Sequence, residues 1–332
     1  MVLLPNETIA VFAPAASAAF GASLSVALDM PLSLHEEREF TGRECKMRPL
    51  ESVRGRSVHV VQSLFGDTLG SANDRLCQLL FFVGALKDAG AKCATVCVTY
   101  LAYARQDRRV EARDPVTTRY LAQLFEAVGV DRMLALDVHN LAAFDNAFRC
   151  ETVHLEAAAL FVRHFSAKSA GQEYTVASPD IGGVKRARHF QELLQTAIGR
   201  TVNFALMDKQ RGRDSVSGTL FAGDVAGRCV IILDDLISSG TTLLRAVAAC
   251  RRAGAARVDV AATHASFADE AHRLFDANGP DSVVVTNSVP LGESFSARLN
   301  GSLIVLDVAP LFADAIRRLE RGGSLSELGG LA

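Results

Sequence analysis

The stretch VIILDDLISSGTTLLRA, Val230 to Ala246, decides the fold. It opens on four aliphatic residues, the pattern of a strand buried on both faces of a parallel sheet. Two adjacent carboxylates, Asp234 and Asp235, are expected to end that strand, and a Ser-Ser-Gly-Thr-Thr turn leads into a helix. In open α/β sheets, ligands bind outside the carboxyl ends of the strands. A small glycine-bearing turn at a helix start offers backbone N–H groups and the positive end of the helix dipole to an anion. The hydroxyls of Ser238, Ser239, Thr241 and Thr242 add donors around Gly240. Carboxylates beside such a loop suit sugar hydroxyls or Mg2+ rather than phosphate, so the expected ligand carries both a phosphate and a sugar.

Outward from this stretch, short β-rich runs alternate with helical runs, which implies parallel sheets with crossover helices. ARVDVAATHA and SVVVTNS follow as strands. YTVASPD (Tyr174 to Asp180) and VNFALMDK (Val202 to Lys209) precede it, with a helix over Gly183 to Ile198 between them. The first half repeats the rhythm: a strand at Ser57 to Leu64, a helix ending at Gly90, a strand at Lys92 to Thr99, a helix over Val116 to Val128 and a strand at Met133 to Asp137. Ser71, with Asp74 three residues on, reads as a capping box before the apolar positions Leu76, Leu79, Leu80 and Val83. The rhythm predicts two α/β domains, 1–150 and 151–332.

The 332 residues are 49% hydrophobic, enough for sizeable cores, and 35 Lys+Arg against 37 Asp+Glu leave a net charge of −2. That balance excludes a whole-protein attraction to nucleic acid or to a membrane surface. The Ala-rich start reaches its first basic residue only at Arg38, unlike a secretory signal or a transit peptide. The longest apolar run, around Leu76 to Leu86, is too short to span a bilayer. The expectation is a soluble, cytoplasmic protein. Seven cysteines without a CxxC pair read as reduced thiols. Cys93 and Cys97 fall on one strand, about 13 Å apart, too far for a shared metal.

Further motifs sit beside predicted strand ends. YARQDRRVEARDPVT, Tyr103 to Thr117, offers Arg105, Arg108 and Arg109 as planar forks for phosphate, with Gln106 and Asp107 to orient a base or ribose. LDVHN, Leu136 to Asn140, brings an acid and His139 to a strand end. In ASPDIGGVKRAR, Ala177 to Arg188, Gly182 and Gly183 allow close backbone approach at a helix start that carries Lys185 and Arg186. MDKQRGRDSVSG, Met207 to Gly218, is polar, cationic and glycine-bearing, and reads as a mobile hairpin.

VIILDDLISSGTT resembles the signature of the phosphoribosyltransferase superfamily. With the other motifs, in order and at the same spacing, nearly the whole chain resembles the ribose-phosphate pyrophosphokinase family. The resemblance implies two tandem type I phosphoribosyltransferase domains. It implies a reaction in which the diphosphoryl group of Mg–ATP passes to the 1-hydroxyl of ribose 5-phosphate. Ribose 5-phosphate falls to Asp234, Asp235, Ser238, Ser239, Gly240, Thr241 and Thr242. ATP falls to Arg105, Gln106, Asp107 and His139, Mg2+ to His139 and Asp180, and transition-state charge to Lys209 and Arg211. FTGRE, Phe40 to Glu44, resembles the element by which one subunit reaches the adenine of its neighbour, through Phe40 and Glu44. That implies a homo-oligomer with shared sites.

The chain departs from the family pattern in NLAAFDNAF after His139, in Ser238 to Thr242, at Gly42 and Arg43, and at Gln210. It reads as a divergent member, with altered regulation or nucleotide preference expected. Two rival readings are a non-catalytic regulatory paralogue that binds nucleotide and a phosphoribosyltransferase. The second leaves YARQDRR and one half of the chain without a task.

Overall fold

The computed structural model describes residues 8–169, 171–209, 219–297, 301–325 and 328. The chain divides into two compact units. The first runs to Glu156 and regains Ser288–Pro290 and the C-terminal segment from Ala309; the second spans Ala157–Asn287 and Leu291–Val308.

In the first unit the elements are β1 (Ile9–Phe12), α1 (Ala18–Leu28), β2 (His35–Glu39), β3 (Cys45–Pro49), β4 (Ser57–Gln62), α2 (Ala72–Asp88), β5 (Cys93–Val98), α3 (Thr117–Ala127), β6 (Arg132–Leu136), α4 (Leu141–Ala147) and β7 (Glu151–Leu155). Among the described residues, β1-β4-β5-β6-β7 form a five-stranded sheet, and β2-β3 a separate hairpin. Every ladder of the larger sheet is parallel. Its inner strands β4, β5 and β6 are buried along nearly their whole length, as in parallel sheets covered on both faces. The α2 capping box forms as the spacing predicts: Ser71 Oγ accepts from the Asp74 N–H at 3.2 Å, and Asp74 Oδ2 accepts from the Ser71 N–H at 2.7 Å. Leu76, Leu79, Leu80 and Val83 then pack into the sheet core with Val60, Val96 and Val98.

The second unit holds α5 (Ala158–Ser166), β8 (Tyr174–Ser178), α6 (Val184–Ile198), β9 (Asn203–Lys209), β10 (Thr219–Ala222), β11 (Cys229–Ile237), α7 (Thr241–Arg252), β12 (Arg257–Ala265), β13 (Ser282–Thr286), α8 (Glu293–Ser296) and β14 (Leu303–Leu306). Among the described residues its sheet has the order β10-β9-β8-β11-β12-β13-β14, parallel except for β10 at the edge. The chain winds from β8 to β9 on one side, then returns to β11 on the other side of β8. The order therefore reverses between β8 and β11, and the crevice outside their carboxyl ends is where such sheets bind ligands.

Two features differ from the expectations. The acids do not end β11: Leu236 and Ile237 continue the ladder opposite His264 and Ala265 of β12. A division near residue 150 also leaves out the return of the chain to the first unit. Helix α9 (Ala309–Arg321) buries Phe312, Ala313 and Ile316, and the Phe312 ring stands edge-on to Phe20 of α1, 5.5 Å between centroids. An apolar stripe at helical spacing needs a surface to cover, and α1 provides it.

Candidate active site

At the β8–β11 switch point the β11–α7 connection is Ser238 to Gly240. Gly240 has φ +72° and is the N-cap of α7. A Cβ there would lie 2.7 Å from Leu274 Cδ1, so both conformation and space call for glycine. Ser239 Oγ and Thr241 Oγ1 lie 3.1 Å apart, bracing the turn. Helix α7 opens at Thr241, so its positive dipole end lies at the turn, while Arg251 and Arg252 in its last turn offset the negative end.

Asp234 and Asp235 stand just before this turn. Asp235 is buried, and its N–H donates to Asp234 Oδ1 at 2.9 Å. Burial pushes the Asp234 carboxyl well above the usual carboxylate range; the negative charge of Asp235 adds to the push, and Arg186 pulls weakly the other way. Two carboxylates held this close favour a ligand that donates hydrogen bonds or brings positive charge.

The β8–α6 connection faces the same crevice. Ser178 Oγ donates to the Asp180 carbonyl at 2.7 Å, and Asp180 Oδ1 accepts from the Gly183 N–H at 3.0 Å. A Cβ on Gly183 would lie 2.9 Å from Ser178 Oγ, which explains the second glycine. Arg186, on the first turn of α6, reaches across so that Nη1 lies 3.6 Å from Asp235 Oδ1. An ion pair thus ties the start of α6 to β11.

Lys209 is the last residue of β9, paired with Thr219 of β10 in an antiparallel ladder. Arg211 and the rest of residues 210–218 lie outside the described residues.

In the first unit β5 and β6 run parallel with Val98 opposite Ala135, so the loops that follow them leave the same edge of the sheet. Asn140 joins these loops: its Nδ2 donates to Asp107 Oδ2 at 2.6 Å, and its Oδ1 caps α4 through the Ala143 N–H at 3.2 Å. Arg105, Gln106, Arg108 and Arg109 are exposed beside it, and so is His139. The Thr117 hydroxyl donates to Gln106 Oε1, while Thr118 Oγ1 donates to the Tyr103 carbonyl at 3.1 Å. The loop is therefore fastened to the start of α3. Tyr103 (φ 62°), Arg113 (φ 73°) and Asp137 (φ 38°) hold left-handed backbone around it. Such residues cost on the order of 1–3 kcal/mol each and gather at ligand sites.

Phe40 to Glu44 form the tip of the β2–β3 hairpin. The Phe40 N–H donates to the Glu44 carbonyl at 2.8 Å, and Gly42 (φ 90°) and Arg43 (φ 68°) turn the chain. The Phe40 ring is exposed, with the Arg38 guanidinium 5.0 Å from its centroid.

Within the second unit the structure thus brings Asp180, Asp234, Asp235 and Ser238 to Thr242 to one sheet edge. Within the first it gathers Arg105, Gln106, Asp107 and His139. Two contributors escaped the sequence reading as site residues. In sequence Arg186 reads only as a cation near a helix start. Asn140 lay unremarked beside His139, although an Asn before an apolar run is itself a helix-cap signal.

Residues 9–129 match the family described as the N-terminal domain of ribose phosphate pyrophosphokinase, and residues 180–329 match the phosphoribosyl synthetase-associated domain. The ribose-phosphate pyrophosphokinase of Haemophilus influenzae is 35% identical over 322 residues, covering 96% of this chain and 98% of that protein. The one from Fusobacterium nucleatum is 36% identical over 301 residues, covering 90% and 91%. Among solved structures, phosphoribosylpyrophosphate synthetase from Mycobacterium smegmatis superimposes with a TM-score of 0.85 at 30% identity, across 95% of this chain and 100% of that one. Two sheets of the expected kind, a glycine turn at a helix start at the switch point and similarity along nearly the whole length agree: the chain belongs to the ribose-phosphate pyrophosphokinase family.

Proposed function

We infer that the protein makes phosphoribosyl pyrophosphate from ATP and ribose 5-phosphate, with release of AMP. The observation that carries this reading is the β11–α7 connection. There a glycine turn at a helix N-terminus adjoins two close-set carboxylates, one site for a phosphate and a second for sugar hydroxyls. In this assignment the 5-phosphate sits on Ser238, Ser239, Gly240, Thr241 and Thr242. Asp234 and Asp235 accept hydrogen bonds from the ribose hydroxyls.

The sugar O1 attacks Pβ of ATP. The bond from Pβ to the oxygen bridging Pα breaks, AMP leaves with that oxygen, and the O1–H proton passes to solvent water as the new bond forms. Phosphoryl-type transfer asks the protein mainly for positioning and charge stabilisation. Arg105, Gln106, Asp107 and His139 are assigned to ATP, Lys209 and Arg211 to the charge developing on the transferring group. Asp180 supplies a carboxylate oxygen of the hard type Mg2+ prefers, and its place at the crevice edge fits that ion. His139 is the second assigned ligand. Mg2+ would neutralise phosphate charge when bound.

Residues 210–218, which lie outside the described residues, are assigned to keeping water from competing with the sugar hydroxyl. The hairpin tip at Phe40 and Glu44 is assigned to the adenine bound by a neighbouring copy, which implies a homo-oligomer. Among the described residues, no helix is long and apolar enough to cross a membrane. Incubation with ATP, Mg2+ and ribose 5-phosphate tests the reading: AMP should accumulate in step with a sugar diphosphate, whereas ADP as the nucleotide product would contradict it.

A further inference from the structure

The β2–β3 hairpin pairs His35 with Pro49, Glu37 with Met47 and Glu39 with Cys45. Cross-strand partners share a face of the hairpin. That face is turned to α2: Met47 is buried in one cluster with Leu76, Leu79 and Leu80, and the His35 ring lies 5.4 Å from the Phe82 ring. From the His35–Pro49 pair to the Glu39–Cys45 pair the hairpin advances about 13 Å. About 12 Å back from Phe82 along α2, at about 1.5 Å per residue, lies Asp74, one turn before Cys77. The direction is fixed by Arg43, whose Nη2 donates to the carbonyl of Leu69, just ahead of α2.

Cys45 therefore faces the first turns of α2, where Cys77 is exposed and Cys45 itself is half-buried. The electrostatics agree with that placement: burial raises the Cys45 thiol above its ordinary value, and Cys77 and Asp74 both raise it further.

We propose that Cys45 and Cys77 are a reversible dithiol–disulfide pair that ties the β2–β3 hairpin to α2. The oxidant is a low-molecular-weight disulfide. The exposed Cys77 thiolate attacks one of its sulfurs and expels a thiolate. The Cys45 thiolate then attacks the Cys77 sulfur and expels the second. The protein loses two thiol hydrogens, and two molecules of reduced thiol are released. Because Cys45 directly follows Glu44, the bridge fastens the hairpin tip to the helix. An effect on nucleotide use rests on the assignment of Phe40 and Glu44 given above; the bridge itself does not.

The test treats the full chain with oxidised glutathione and reads the intact mass and the non-reduced peptide map. The expected result is a loss of two hydrogens, a peptide pair joined through Cys45 and Cys77, and reversal by dithiothreitol. Cys45→Ser should instead stop at a stable glutathione adduct on Cys77, and Cys77→Ser should abolish the linked pair. A wild-type protein that ends with glutathione on Cys77 and Cys45 still free overturns the proposal. So does a chain-to-chain crosslink through either thiol. A bridge that forms and leaves the KM for ATP unchanged would retain the pair and remove the nucleotide assignment of the hairpin tip.

Discussion

Arg186 Nη1 lies 3.6 Å from Asp235 Oδ1, so the helix after β8 lends its charge to the acid pair on β11. Without that cation the two carboxylates meet less opposing charge, and the pair should hold its protons to higher pH. Ionised carboxylates accept hydrogen bonds from the ribose hydroxyls more strongly than protonated ones do. Arg186→Met is therefore expected to move the acidic limb of kcat/KM for ribose 5-phosphate to higher pH. An unmoved limb would show that the ion pair plays no part in setting the acids.

Asp234→Asn should act in opposite directions on stability and binding. Burial and the neighbouring Asp235 hold the Asp234 pKa above its unfolded value, near about 3.9 for a free aspartate. Between the unfolded and the raised folded value the native state binds more protons, so stability falls as pH rises through that window. Asn removes this dependence. The variant should be more stable than wild type at neutral pH in the absence of ligand, with the difference vanishing below about pH 4. Its affinity for ribose 5-phosphate should fall by about 1.5–3 kcal/mol, the worth of a hydrogen bond to a charged group. Denaturant melts across pH and calorimetric titration measure the two effects.

Gly240→Ala should fail on two counts. A left-handed conformation costs a non-glycine residue about 1–2 kcal/mol, and the added Cβ would meet Leu274 at 2.7 Å. A lowered melting temperature together with weaker ribose 5-phosphate binding is expected. Normal binding in this variant would place the phosphate elsewhere.

Asn140 both caps α4 and donates to Asp107 Oδ2 at 2.6 Å. Asn140→Asp keeps a good capping acceptor but sets a second carboxylate against Asp107. Asn140→Ala loses the cap, at about 0.5–2 kcal/mol, without adding charge. The Asp variant should thus keep stability yet raise the KM for ATP more than the Ala variant does. The reverse order would mean that the clamp on Asp107 does not shape the nucleotide loop.

Local signals in the chain were read well where one short-range rule governs them. The Ser71–Asp74 box and the Gly240 turn depend on neighbours within a few residues. The continuation of β11 was hidden because charged residues usually close a strand; here Leu236 and Ile237 keep β12 as a partner. The return of α9 to the first unit depends on Phe312 meeting Phe20, a contact almost three hundred positions apart in sequence. The Arg186–Asp235 pair joins helix α6 to strand β11, and the Asn140–Asp107 bond joins the loops after β6 and β5; no pattern within either segment announces them.

The landing place of the sugar phosphate decides the assignment of the whole site. Backbone amide resonances of the isotopically labelled protein, followed while ribose 5-phosphate is added, address that directly. The largest saturable shifts are expected at Ser239 to Thr242, with smaller ones at Asp234 and Asp235. Saturation that leaves those amides unmoved while another loop responds would contradict the assignment.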